Sequence, residues 1–138
     1  MTELNVPWAA WYGTQPLAMR FPAGWQVDVY RMRGGVDIGD AGIRKALAEP
    51  IGAPQLREVA KGKATAAILV DDLSRPTPAF RLLPYVLEEL ATAGVPDAGI
   101  TIIGALAAHR PMTRDDFIKK VGVDVVDRYR VVNHNAYE

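Results

Sequence analysis

Residues 68–78 read Ile-Leu-Val-Asp-Asp-Leu-Ser-Arg-Pro-Thr-Pro, and no other stretch constrains the fold as much. The near-continuous apolar run over residues 65–70 has the composition of a strand buried on both faces. It ends abruptly in two carboxylates, Asp71 and Asp72. Arg75 follows three residues after the second of them, and Pro76 and Pro78 stiffen the loop. A guanidinium and an acceptor carboxylate just past a buried strand stand where a parallel sheet keeps its ligand site. The same strand-then-loop register recurs further along the chain at Ala107-Ala108-His109-Arg110.

The segments around these loops alternate in type. Residues 80–93 carry Leu83, Val86, Leu87 and Leu90 on one helical stripe, with Gly94 at a helix C′ position and Pro96 barring continuation. Pro84 inside this stretch implies a kink or a later first turn. Residues 100–104 read as a second buried strand. Thr113 with Asp116 forms a capping-box pattern for a helix bearing Phe117, Ile118 and Val121, stopped by Gly122. Residues 130–132 read as a third strand, running into Asn133-His134-Asn135. Earlier, Leu17, Met19 and Phe21, then Val27 and Val29, alternate on either side of Pro22-Ala23-Gly24, as in a β-hairpin or a pair of short strands. Asp40 is placed to cap a helix bearing Ile43, Ala46 and Leu47, ended by Pro50. Pro54 suits the first turn of another, with Leu56 and Val59 on one side and Gly62 at its end. The order strand, helix, strand, helix, strand predicts one α/β domain over residues 1–138. Its expected architecture is a Rossmann-like parallel sheet flanked by helices, with an N-terminal β-hairpin or short strands.

Composition narrows the function classes. The chain has 138 residues, 49% of them apolar, enough for a real core. Sixteen basic and 16 acidic residues leave a formal net charge of +0, which argues against nucleic acid as the main partner. With no cysteine, thiolate nucleophiles, disulfides and cysteine-ligated zinc are excluded, and a cytoplasmic setting is suited. The amino terminus lacks the basic and apolar regions of a signal peptide, and no apolar run is long enough to span a bilayer, so no membrane role is expected.

Three strand ends supply the candidate site: Asp71, Asp72, Ser74 and Arg75; then His109 and Arg110; then His134. The chain has two histidines, and both fall at such ends. Arg75 could brace Asp71 or Asp72, or it could grip a ligand carboxylate with its planar fork. His109 could be an ordinary loop histidine, but its unperturbed pKa of about 6.5 suits proton transfer near neutral pH. Arg110 could bind an anion or face solvent. His134 could be a ligand, an orienting partner or a surface residue. Asp72, His109 and His134 have no short-range metal-ligand spacing. Residues 104–108 lack the Gly-x-Gly-x-x-Gly spacing of a dinucleotide site.

Taken together, these segments resemble the amino-terminal part of the nickel-dependent lactate racemase family. Its Asp-x-Thr-Arg-Pro loop corresponds to Asp72-Leu73-Ser74-Arg75-Pro76. Its Gly-Thr-His-Arg segment corresponds to Ala107-Ala108-His109-Arg110, and its Asn-His-Asp to Asn133-His134-Asn135. The early Trp11-Tyr12-Gly13 and residues 47–52 also fit. The chain departs from the pattern at Ser74, which keeps a hydroxyl; at Ala107 and Ala108, which change backbone freedom and remove a hydroxyl; and at Asn135.

The resemblance implies an isomerase, a racemase or epimerase of 2-hydroxy acids that uses a nickel-pincer nucleotide. It implies that His109 takes the 2-hydroxyl proton, that Arg75 holds the substrate carboxylate, and that Ser74 and Asp72 assist, with Asp72 orienting Arg75 or the histidine. Asp71, Arg110 and His134 are accessory candidates. Family members are longer, so the tethering lysine, the nickel-ligating histidine and the second acid/base histidine are expected beyond Glu138, with no metal site within this chain. The remainder of such an enzyme is then a partner of this part. The competing expectations are a non-catalytic module binding a small carboxylate or phosphate, and a structural domain whose site has decayed.

Overall fold

A computed structural model describes residues 1–8, 11, 15–31 and 33–137 of the chain. Tyr12 and Gly13, part of the early family-like segment, lie outside them. Contacts divide the chain into two compact units, Met1–Asp37 and Ile38–Glu138.

In the first unit, β1 (Thr2–Val6) pairs antiparallel with β2 (Leu17–Phe21), with Leu4 opposite Met19. The Arg20 guanidinium donates to Glu3 across this ribbon at 2.8 Å. The sequence expectation of a strand at Val27 and Val29 is overturned, because residues 25–30 are irregular and Val29 is exposed. Strand β2 finds its partner upstream instead. The turn at Pro22 is closed by Trp25 N–H donating to the Pro22 carbonyl, with the Phe21 and Trp25 rings 6.2 Å apart.

The second unit contains α1 (Gly39–Ala48), α2 (Leu56–Ala60), β3 (Ala66–Asp71), α3 (Ala79–Thr92), β4 (Ile100–Ala105), α4 (Arg114–Val121), α5 (Val123–Arg128) and β5 (Arg130–Asn133). Strands β3, β4 and β5 form a parallel sheet in that order, with Val70 paired to Gly104 and Gly104 to Asn133. The expected parallel sheet with helical connections is therefore present. Its core joins Val70, Ile100 and Ile102 from the strands to Leu83, Leu87 and Leu90 of α3, Phe117 and Val121 of α4, and Val125 of α5. Burial alternates along β3 and β4, and Leu69 is 68% exposed. Strand β3 is thus buried on one face, not on both as its composition suggests, and that face joins one core with residues of α2, α3, α4 and α5. No described helix is long and apolar enough to cross a membrane.

Local chemistry explains most boundaries. Thr113 accepts from the Asp116 N–H and Asp116 accepts from the Thr113 N–H, which completes the expected capping box of α4. Gly122, at φ +94°, ends α4 and also precedes α5, a helix the sequence does not announce. Asp40 lies inside the first turn of α1 and Ile38 precedes the helix, so Asp40 is not its cap. Pro54 sits before α2, which starts after Gln55. Helix α3 runs through Pro84 from Ala79, so the proline is interior and marks no later first turn. Charged pairs fasten the first two helices to the third. Arg44 of α1 donates to Glu88 at 2.7 Å, and Arg57 of α2 grips the buried Glu89 through two nitrogens.

Gly99, just before β4, marks the tightest backbone approach. A Cβ there would stand 2.2 Å from the Ala64 carbonyl oxygen. Gly99→Ala is expected to cost about 2–3 kcal/mol of stability, read as a lower urea midpoint. An unchanged midpoint would show that the chain before β3 has room to move.

Candidate functional site

The site begins where β3 runs out. Asp71 is its last residue, and a turn closed by Arg75 N–H donating to the Asp72 carbonyl folds the loop back on itself. Asp72 is 7% exposed, yet it carries a carboxylate. Burial works to raise its pKa, but hydrogen bonds from Ser74 and His109 outweigh this and hold it below the usual carboxylate range. One oxygen, Oδ1, accepts from the Ser74 N–H at 2.9 Å and from its hydroxyl at 2.5 Å. The other, Oδ2, lies 2.5 Å from Nδ1 of His109. An ionised Asp72 can only accept, so the histidine Nδ1 must donate.

His109 arrives from the end of β4. Its N–H donates to the Leu106 carbonyl at 3.0 Å and closes a turn over Ala107 and Ala108. Ala107 has φ +49°, the sole positive φ at a non-glycine position among the described residues. Alanine stands there, and a side chain in that conformation is strained by about 1–2 kcal/mol. The His109 side chain is 54% exposed, and its Nε2 has no hydrogen-bond partner among the described residues. Asp72, Leu73, Ser74, His109, Arg110 and Met112 line one cleft of about 240 Å³.

The neighbouring ionic groups are divided among separate partners. Asp71 accepts from Lys120 Nζ at 2.7 Å and from the Thr77 hydroxyl at 2.7 Å. Burial pushes its pKa up, and these two contacts outweigh that to leave it lowered. Lys120 is fully buried, and it also donates to the Arg75 carbonyl at 3.0 Å. Arg75 itself is exposed, and its guanidinium makes no hydrogen bond or ion pair among the described residues. The bracing reading of Arg75 therefore fails here: Lys120 holds Asp71, and His109 with Ser74 holds Asp72. Arg75 shares the loop but is not among the cleft-lining residues.

Arg110 is neither free nor simply solvated. It donates to Asp116 at 2.8 Å and to the Pro111 carbonyl at 3.1 Å. His134 is exposed, its backbone N–H donates to Gly104, and it lines no part of the cleft. Asn133 is the residue of that strand end which touches the site. Its Oδ1 accepts from the Met112 N–H at 3.0 Å and its Nδ2 donates to the Met112 carbonyl at 2.9 Å. Among the described residues no group of three or more His, Cys, Asp and Glu side chains could hold a metal ion.

Comparison with known proteins places the chain in a family. A family model described as the lactate racemase N-terminal domain matches residues 12–138. The chain belongs to the lactate racemase N-terminal domain family. It is 37% identical over 92 residues to lactate racemase of Lactiplantibacillus plantarum, covering 67% of this chain and 22% of that protein. It is 29% identical over 140 residues to lactate racemase of Thermoanaerobacterium thermosaccharolyticum, covering 99% of this chain and 32% of the relative. The solved structure of the apoprotein from that organism superposes with a TM-score of 0.66 at 28% identity, over 97% of this chain and 30% of the other. The chain thus spans about a fifth to a third of the length of the relatives it matches.

Four of the candidates, Asp72, Ser74, His109 and Arg110, meet in the cleft. Lys120, Thr77 and Asn133 hold the loops in place, and sequence reasoning gave no sign of them in that role. A lysine in the last turn of a helix reads as a solvated charge, and only burial shows otherwise.

Asp116 sets the acid behaviour. The Arg110 hydrogen bond, with the Thr113 N–H, lowers its pKa to about 2. A depressed carboxylate contributes stability above its unfolded value of about 3.9 and loses it as pH falls through the folded value. Stability is therefore expected to drop between about pH 4 and pH 2. In Asp116→Asn that acid limb should be shallower, with the variant already weaker at pH 7. Parallel urea titrations across this range check it, and identical slopes would contradict it.

Proposed function

We propose that this chain is the substrate-binding and proton-transferring part of a nickel-pincer nucleotide-dependent racemase or epimerase of 2-hydroxy acids. The observation that carries this reading is the 2.5 Å contact between Asp72 and His109 Nδ1 at the rim of a cleft, with Arg75 in the same loop and its guanidinium unpaired among the described residues. Donation from Nδ1 leaves Nε2 of neutral His109 as a lone-pair base. A substrate hydroxyl within hydrogen-bond reach of Nε2 would pass its proton there. The resulting imidazolium would be stabilised by the buried Asp72 carboxylate, which accepts from it throughout.

Arg75 would hold the substrate carboxylate through two parallel N–H donors, fixing the hydroxyl relative to the histidine. Ser74 serves Asp72 first, since both its N–H and its hydroxyl are committed to that carboxylate. When bound, the nickel-pincer nucleotide would supply the acceptor for hydride from the substrate α-carbon. The described residues offer no donor set for its metal. Its tether and ligands would come from polypeptide outside this chain, as would the second acid/base group. The relatives' printed name, lactate racemase, makes lactate the first substrate to try. A cytoplasmic setting belongs to this proposal too.

The test is lactate racemisation by the full-length product of this reading frame, loaded with the cofactor and followed by chiral chromatography. His109→Ala is expected to lower kcat/KM by about 10²–10⁴. Arg75→Lys keeps the charge but loses the fork, and should lower kcat/KM by about one to two orders of magnitude. Its melting temperature should stay put, because the guanidinium braces nothing among the described residues. Racemisation that survives His109→Ala would reject the assignment of the base.

A further inference from the structure

Both oxygens of Asp71 and both of Asp72 are taken by groups other than Arg75. Lys120 Nζ and the Thr77 hydroxyl hold Asp71 at 2.7 Å each. Ser74 and His109 hold Asp72. A guanidinium three and four residues from two carboxylates would ordinarily fold back onto one of them, because the paired, bidentate contact is among the strongest a side chain makes. Here it does not. The group that prevents it is unusual in its own right: an ammonium from α4 with no exposed surface, reaching a residue at the end of β3 and the Arg75 carbonyl. A buried ammonium is costly to keep unless its partners are fixed.

We infer that Lys120 is a positioning residue that keeps Arg75 open for a carboxylate ligand. It occupies the Asp71 oxygen that Arg75 would otherwise claim, and it grips the Arg75 backbone so that the side chain leaves the loop outward. Thr77 assists by closing the second Asp71 oxygen. The inference deepens the proposed function and rests on it for the identity of the ligand, a small organic carboxylate. The sequestration itself is a property of the folded chain and needs no turnover to be seen.

Phenylglyoxal modification of the 138-residue chain, mapped by peptide mass spectrometry, reads guanidinium availability directly. Exposed Arg33 serves as the internal reference. In the wild-type chain Arg75 should react as readily as Arg33. In Lys120→Met the freed Asp71 should capture Arg75, and its relative rate should fall by about threefold or more. Adding Asp71→Asn to that variant should restore the wild-type rate, a rescue that general loosening of the loop would not give. Thr77→Val changes an exposed position and leaves the Lys120–Asp71 pair intact. It should lower the Arg75 rate in the same direction, so it carries the test even if Lys120→Met fails to fold. Unchanged Arg75 reactivity in Thr77→Val and in folded Lys120→Met would overturn the inference. So would a loss that Asp71→Asn does not reverse. If the loaded full-length protein turned over no 2-hydroxy acid, the functional reading would fail while these rates stood.

Discussion

The hydrogen bond between Asp72 and His109 Nδ1 organises everything else at the cleft. It joins the ends of two neighbouring parallel strands, so it can form only when β3 and β4 are in register. It also decides the chemistry of the ring. Because Asp72 stays ionised, the histidine must present its proton inward and its lone pair outward. Ser74 keeps Asp72 ionised against its own burial, which is why a short polar residue follows the carboxylate at that spacing.

Helix α4 is the frame that holds both loops. From its N-terminus Asp116 ties down Thr113 and Arg110. From its last turn Lys120 reaches the Asp71–Arg75 loop. Phe117 and Val121, each next to one of these two residues, enter the core. Strand β5 adds the third restraint through Asn133, whose amide pairs with both backbone groups of Met112. Gly104 leaves the space for this, since a Cβ there would meet the Met112 side chain at 2.6 Å. The catalytic candidates are few, but the residues that fix them come from every element around them. Such support is what a site needs to hold its groups in productive geometry.

Apart from α5, the strands and helices of the second unit were legible because their signals are local. Apolar runs, a capping box and glycine stops sit within a few residues of the boundaries they set. The N-terminal ribbon was half legible. Strand β2 was readable by alternation, but its partner was mistaken, because pairing across a long connection leaves no local mark. Helix α5 was missed because Gly122 reads as a stop and the helix after it is very short. At the site, Asp72, Arg75 and His109 stood out by position at strand ends and by the family resemblance. Their partners did not: Lys120 lies 45 residues from Arg75, and nothing in a single sequence ties the two together. Arg110 shows the same limit, since its hydrogen bond to Asp116 depends on how the chain between them is folded.

The chemistry of the cleft turns on the tautomer of His109. Nitrogen NMR of the chain labelled at histidine, at a pH where the ring is neutral, reports which ring nitrogen carries the proton. A proton on Nδ1, in a strongly hydrogen-bonded and slowly exchanging position that is lost in Asp72→Asn, is the predicted result. A neutral ring protonated on Nε2 in the wild-type chain would mean that the lone pair faces Asp72 instead of the cleft, and the proposed base would not exist.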